Sequence, residues 1–241
     1  MKHSFTFKQF EVHQERCAMK VGTDGVLLGA WASVEHCRRI LDMGTGTGLV
    51  ALMAAQRSEA DIIAIDLDAD AVAQAAENAA LSPWSNRIQV LEADARTLAD
   101  SAPGIEHSAL SFDAILCNPP FFENSLKCPD SARTMARHTD TLSFDELARS
   151  AARLLAPEGE LSVVIPHDRA HDMTVSAACN GLFATRQTVV VPVEGGKSKR
   201  ILMSFTRQGA PHAMETLCIH SADRQYTPAY INLVKDFYLK M

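Results

Sequence analysis

The chain has 241 residues, 47% of them hydrophobic and 22% charged, which allows one sizeable core and excludes a disordered or low-complexity polymer. The net charge of -6 is unevenly spread: residues 1–120 hold 9 Lys and Arg against 16 Asp and Glu, and residues 121–241 hold 14 against 13, so a strongly basic coat is excluded but a local basic patch is not. No apolar run approaches the ~20 residues that cross a bilayer, the start MKHSFTFKQF lacks the apolar stretch of a secretion signal, and the 6 cysteines are scattered with no C-x-x-C pair; a cytoplasmic protein without membrane, metal site or disulfide framework is expected.

In chain order, Phe5, Phe7, Phe10 and Val12 fall near every second position, which predicts a short strand or hairpin. TDGVLLGAWASV then reads as a helix opened by Thr23 or Asp24 as N-cap. From Arg38 strands and helices alternate. RRILDM, DIIAID, RIQVLEAD and FDAILCN read as strands, with GLVALMAAQR and DADAVAQAAENAAL as helices between the first three. SFDELARSAARLLAPEG is an amphipathic helix capped by Ser143 and stopped near Pro157 and Gly159. ELSVVIP, RQTVVVPV and RILMSFTR are late strands, DRAHDMTVSAACNG lies after the first of them as a helix, and TPAYINLVKDFYLKM closes the chain as a helix starting near Thr227.

This alternation predicts an α/β fold: a mostly parallel seven-stranded sheet with helices on both faces, in which residues 1–36 form an extension packed on a single domain of residues 37–241. Ligands of such sheets bind beyond the carboxyl ends of the strands, so the loops after Met43, Asp66, Glu92 and Cys117 are expected to converge.

Two of those loops carry chemistry. LDMGTGTGLVAL sets Gly44, Gly46 and Gly48 between a strand and a helix, a turn that only glycine makes easily and that lets backbone approach a ligand. The spacing is G-x-G-x-G, not the G-x-G-x-x-G of dinucleotide sites, and Asp42 leads it. An acid there repels a pyrophosphate but can bind an ammonium, directly or through water, which favours S-adenosylmethionine over NAD. Asp66 ends the next strand, where a carboxylate can accept from both ribose hydroxyls; Asp68 is expected to cap the following helix. Asp94 can accept from an adenine amino group, with Ala93 or Ala95 flanking the ring.

The second is FDAILCNPPFF. Proline cannot donate to a sheet ladder, so the strand stops near Pro119 and leaves Asn118 at its lip. The Asn118 amide oxygen and the Pro119 carbonyl are two acceptors for the two hydrogens of an exocyclic NH2 group. Such a nitrogen is a poor nucleophile because its lone pair is delocalised into the ring; two acceptors draw the group out of plane and aim the lone pair at an electrophile. Pro119 and Pro120 preorganise the backbone, and Phe121 offers a face for stacking.

DMGTGTG, IDLD, EADA and NPPF resemble the class I, Rossmann-like S-adenosylmethionine-dependent methyltransferases that act on amino groups. QERCAMKVGTDGVLLGAWA, ARHTDTLSFDELARSAARLLAPEGEL and YTPAYINLVKDFYLKM extend the resemblance, over nearly the whole chain, to the bacterial enzymes that N6-methylate the adenine 3′ of the anticodon in a valine tRNA. The resemblance implies that Asp42, Gly44, Gly46, Gly48, Asp66 and Asp94 hold the cofactor, that Asn118, Pro119, Pro120 and Phe121 hold the target base, and that Thr23, Asp24 and Gly25 close over the methionine end. S-adenosylhomocysteine is then the product and the anticodon arm of valine tRNA the partner of a monomeric enzyme. Lys127, Arg133, Arg137 and His138, and a second cluster of Lys197, Lys199 and Arg200, are candidates for phosphate contacts. The rival readings are a ribosomal-RNA guanine-N2 methyltransferase, a protein-glutamine methyltransferase, a DNA adenine methyltransferase, a nucleotide-dependent dehydrogenase and a non-catalytic RNA-binding module.

Overall fold

The structure, a computed structural model, describes residues 4–17, 19–100, 110–119, 142–209 and 213–240. A small antiparallel hairpin, β1 (Ser4–Thr6) and β2 (Glu11–His13), precedes helix α1 (Thr23–Trp31). The main sheet is built from β3 (Arg39–Met43), β4 (Asp61–Asp66), β5 (Ile88–Glu92), β6 (Phe112–Cys117), β7 (Leu155–Pro166), β8 (Phe183–Val193), β9 (Arg200–Thr206) and β10 (Ala213–His220). Their order is β10-β8-β9-β7-β6-β3-β4-β5, and only β9 runs antiparallel to its neighbours. Among the described residues the further helices are α2 (Leu49–Arg57), α3 (Ala69–Leu81), α4 (Phe144–Leu154), α5 (Ala170–Cys179) and α6 (Pro228–Val234).

The sheet has 8 strands rather than the expected seven, because β10 adds in parallel to β8. AMETLCIH hides this strand: it lies at the sheet edge, its first four residues are exposed, and only Leu217 and Ile219 alternate inward. Propensity and period are weak signals in such a strand.

Central strands bury both faces, and their side chains alternate between two cores. Ile40, Ala114, Leu116 and Val164 face the core shared with the hairpin, α1, α2 and α6. Leu41, Met43, Ile115, Cys117, Leu161 and Val163 face the core under α4 and α5. This is the near-continuous apolar strand pattern of a parallel sheet covered on both sides.

The helix starts differ in how they are secured. Ser143 and Glu146 form a capping box on α4, Asp68 caps α3 by accepting from the Asp70 amide, and Thr227 caps α6 by accepting from Tyr230. α1 departs from expectation: its N-cap is Gly22, with no side-chain cap, and Thr23 and Asp24 lie inside the first turn. The Asp24 carboxylate instead accepts from Arg200 Nε on β9 at 2.8 Å. α1 is buried on all sides from Gly25 to Trp31, so packing rather than capping fixes it.

Candidate active site

The chain reverses its crossover direction at β3, whose neighbours are β4 and β6. At such a switch point the loops leaving adjacent strands part and open a crevice. Here a cleft of about 240 Å³ lies beyond the strand ends, lined by Met43, Gly44 and Gly46 after β3, Asp66, Leu67 and Asp68 after β4, Ala93, Asp94, Ala95 and Arg96 after β5, and Cys117, Asn118 and Pro119 after β6. All four loops expected to converge do so.

The glycine loop is shaped by backbone that other residues adopt only with strain: φ is +72° at Gly44, +56° at Gly46 and +81° at Gly48. Its amides are used internally. Gly44 and Thr45 both donate to the Ile65 carbonyl at 2.9 Å, Gly46 donates to Asp66 Oδ2 at 2.9 Å, and Gly48 donates to the Thr45 carbonyl at 2.9 Å. A dinucleotide loop instead turns its amides to a pyrophosphate; these four have no donor to spare.

Asp42 lies beneath the loop, 1% exposed. One of its oxygens accepts from Thr45 Oγ1 at 2.6 Å and from the Ala51 amide, in the first turn of α2, at 3.1 Å. The carboxylate thus secures the loop and the helix start and does not line the cleft. Burial pushes it up to about 7 against the pull of those two donors.

Asp66 and Asp68 give their side of the rim a negative field. The Cys17 thiol, on the same rim, is pushed up to about 11, first by burial and then by Asp66 and Asp68. Cys117 is also raised, by burial and then by Asp42 and Asp66. Both cleft cysteines therefore stay protonated at neutral pH and are poor nucleophiles.

Asp94 is engaged by a residue that sequence reasoning missed. Arg96 Nε and Nη2 reach its two oxygens at 2.9 and 2.7 Å, and Arg96 Nη1 lies 3.7 Å from Glu146 at the start of α4. The guanidinium holds the Asp94 carboxyl below the usual range. Arg96 sits within EADAR, two residues after the acid, a spacing that allows a local fork. Met19 was missed too: its sulfur lies 3.9 Å from Asn118 Nδ2, and its side chain is half exposed at the mouth of the cleft. No pattern in QERCAMK marks it.

The methyltransferase small domain family matches residues 20–190. This chain belongs to that family. Among curated relatives, two proteins called tRNA1(Val) (adenine(37)-N6)-methyltransferase resemble this methyltransferase end to end. The one from Bacteroides fragilis is 48% identical over 237 residues, and the one from Phocaeicola vulgatus 50% identical over 239; each match covers 98% of both chains. Among solved structures, a predicted O-methyltransferase of Agrobacterium tumefaciens superposes with a TM-score of 0.65 at 22% identity, covering 89% of this chain and 96% of the other, which supports the class I fold.

The methyltransferase's sequence-predicted residues fall into three groups. Gly44, Gly46, Asp66, Asp94, Asn118 and Pro119 line the cleft. Asp42 and Gly48 support it from behind; a Cβ at Gly48 would meet Ala75 of α3 at 3.4 Å. Thr23 and Asp24 do not line it, although a Cβ at Gly25 would lie 3.9 Å from Asn118 Nδ2, so the first turn of α1 abuts the strand end that carries the amide. Lys197 and Lys199 are exposed in the loop between β8 and β9. Arg200 is joined to Asp24 instead of facing solvent alone. Pro120, Phe121, Lys127, Arg133, Arg137 and His138 lie outside the described residues.

Proposed function

We propose that this enzyme transfers a methyl group from S-adenosylmethionine to the exocyclic N6 of adenine-37 in a valine tRNA, releasing S-adenosylhomocysteine. One observation carries the chemistry: the Asn118–Pro119 strand end, with two acceptors for an amino group, opens on the same cleft as the Asp66 and Asp94 carboxylates. The adenine of a tRNA is chosen over the other acceptors because relatives bearing that name align over 98% of the chain.

The cleft suits the cofactor. Its carboxylates attract a molecule with sulfonium and ammonium charges and hydroxyl donors, and a loop whose Gly44, Thr45, Gly46 and Gly48 amides already have acceptors disfavours a dinucleotide. When bound, S-adenosylmethionine supplies an electrophilic methyl carbon. Asp66 takes the ribose hydroxyls and already braces the loop through the Gly46 amide. Asp94 takes the adenine amino group beside its fork with Arg96, between Ala93 and Ala95.

On the acceptor side, the Asn118 amide oxygen and the Pro119 carbonyl accept the two N6 hydrogens and hold the lone pair toward the donor. As the C–N bond forms, the C–S bond breaks and its electron pair stays on sulfur. The nitrogen becomes cationic and acidic and gives one proton to water, so no strong general base is needed. Positioning supplies most of the rate. Phe121 is proposed to stack on the base.

The test is labelled S-adenosylmethionine with tRNA from cells lacking the enzyme, followed by nucleoside analysis. N6-methyladenosine is expected in valine tRNA. Asn118→Ala is expected to lower turnover by about 10²-fold or more and to leave cofactor affinity by calorimetry within about threefold. Label in protein or ribosomal RNA overturns the substrate, and lost affinity with normal turnover at saturation overturns the role of Asn118.

A further inference from the structure

The carboxyl edge of the sheet does not end at the cleft. β7 runs parallel to β6, and β9 runs antiparallel to both β7 and β8, so β8 and its parallel neighbour β10 also end on the cleft side. The ends of β8 and β10 are three and four strands from Asn118, or about 14 and 19 Å at the usual inter-strand spacing. Both loops there are exposed, and they are joined: the Glu194 amide donates to the His220 carbonyl at 2.9 Å, and the Ala222 amide to Glu194 Oε2 at 3.3 Å.

This corner carries an aromatic shelf. Tyr226 is 46% exposed and stacks on His220, with ring centroids 4.7 Å apart and planes at 29°. His220 Nδ1 lies 3.1 Å from the Pro192 carbonyl; a carbonyl only accepts, so this nitrogen carries the proton and the ring is fixed from below. Tyr230, buried, packs behind Tyr226 at 5.2 Å.

Beside the shelf, Arg224 holds φ +63°, a conformation glycine adopts without strain. The turn imposes it through Ser221 N to Gln225 O and Arg224 N to Ser221 O, both at 2.9 Å. An arginine here holds backbone strain that glycine would relax, an outlier of the kind found at functional sites. Arg224, Lys197 and Lys199 are exposed and make no ion pair among the described residues. The corner's acids, Glu194 and Asp223, accept hydrogen bonds from Ala222 and Ser221 within the turn.

We propose that this corner is a second RNA contact: Tyr226 stacks on an unpaired base of the substrate's loop while Arg224, Lys197 and Lys199 bind the adjoining phosphates. The proposal rests on the tRNA reading above and extends it to residues outside the methyl-transfer cleft. Stacking on a preset aromatic and phosphate pairing with flexible cations are how proteins take single-stranded RNA.

The test measures methylation and binding of the valine anticodon stem-loop by the full chain. Tyr226→Ala is expected to raise KM for the RNA about tenfold, with kcat at saturating RNA and affinity for S-adenosylhomocysteine unchanged, while Tyr226→Phe behaves as the parent. Arg224→Gly is expected to keep or raise the melting temperature, yet weaken RNA binding and lower the slope of log affinity against log salt by about 1. If the parent methylates the RNA and both Tyr226→Ala and Arg224→Gly bind it as tightly as the parent, the contact is overturned and the methylation reading stands. A parent that leaves tRNA unmethylated overturns both.

Discussion

A carboxyl group enclosed beneath a glycine loop, as Asp42 is, favours its neutral form. Its ordinary value of 3.8 rises to about 7 in the folded protein because burial outweighs the donors from Thr45 and Ala51. Folding therefore takes up a proton in this window. The stabilising contribution is complete below about 3.8 and is lost as pH rises through about 7. Asp42→Asn keeps an oxygen for the same two donors and carries no titration. In the free protein its stability relative to the parent is expected to improve as pH goes from 5 to 8, by up to about 1.4 kcal/mol per unit. Urea denaturation at several pH values checks this; parallel profiles for the two proteins refute it. The residue also marks what sequence can reveal at this scale. That an acid precedes three glycines is legible, and so is a loop that avoids phosphate. Which way the carboxylate turns is decided by Thr45 Oγ1 and the Ala51 amide, contacts that exist only once the turn has closed.

Elements were legible where period and caps agreed. The Ser143 capping box, the Asp68 cap and the alternation of β3, β4 and β6 all appear in the chain as written. They failed where tertiary contact prevails over local chemistry, as at β10 and at the start of α1. There Asp24 leaves the cap position to Gly22 and joins Arg200, tying the helix to β9 beside the β8–β9 loop. Arg200 thus has two available roles, positioning α1 or meeting phosphate, and a double-mutant cycle separates them. With positioning, Asp24→Ala and Arg200→Ala have similar effects, the double variant is no worse than either alone, and the salt slope of RNA binding does not move. The pair is partly exposed, so the stability change is expected to stay within about 1 kcal/mol. With phosphate contact, Arg200→Ala alone lowers that slope by about 1. The buried environment of α1 and the 2.8 Å ion pair favour positioning.

At the scale of the whole molecule, the chain ends are fastened to the same structure that holds the cleft. The Lys8 amide donates to the Phe237 carbonyl at 2.8 Å, and Phe5 and Phe7 pack against Tyr238. Phe10 meets Trp84 just past α3. Asn78 on α3, 1% exposed, joins the hairpin to the glycine loop. Its oxygen accepts from the His13 amide, and its Nδ2 donates to the His13 and Thr47 carbonyls, each at 2.8 Å. Gln74, one turn earlier, accepts from the amides of Glu15 and Arg16. In the Ala-rich helix these amides resemble solvent-facing residues, so the sequence does not disclose that α3 connects the hairpin to the glycine loop. Removing the Asn78 side chain leaves the buried Thr47 carbonyl and the part-buried His13 amide and carbonyl without these partners. Asn78→Ala is therefore expected to cost about 3 kcal/mol of stability and, because Thr47 belongs to the glycine loop, to weaken S-adenosylhomocysteine binding as well. Denaturation and calorimetry on the same variant check both. A loss of stability with cofactor affinity intact means that α3 braces the hairpin alone; a loss in both means that the extension, α3 and the loop act as one unit, which the three equal hydrogen bonds of Asn78 lead us to expect.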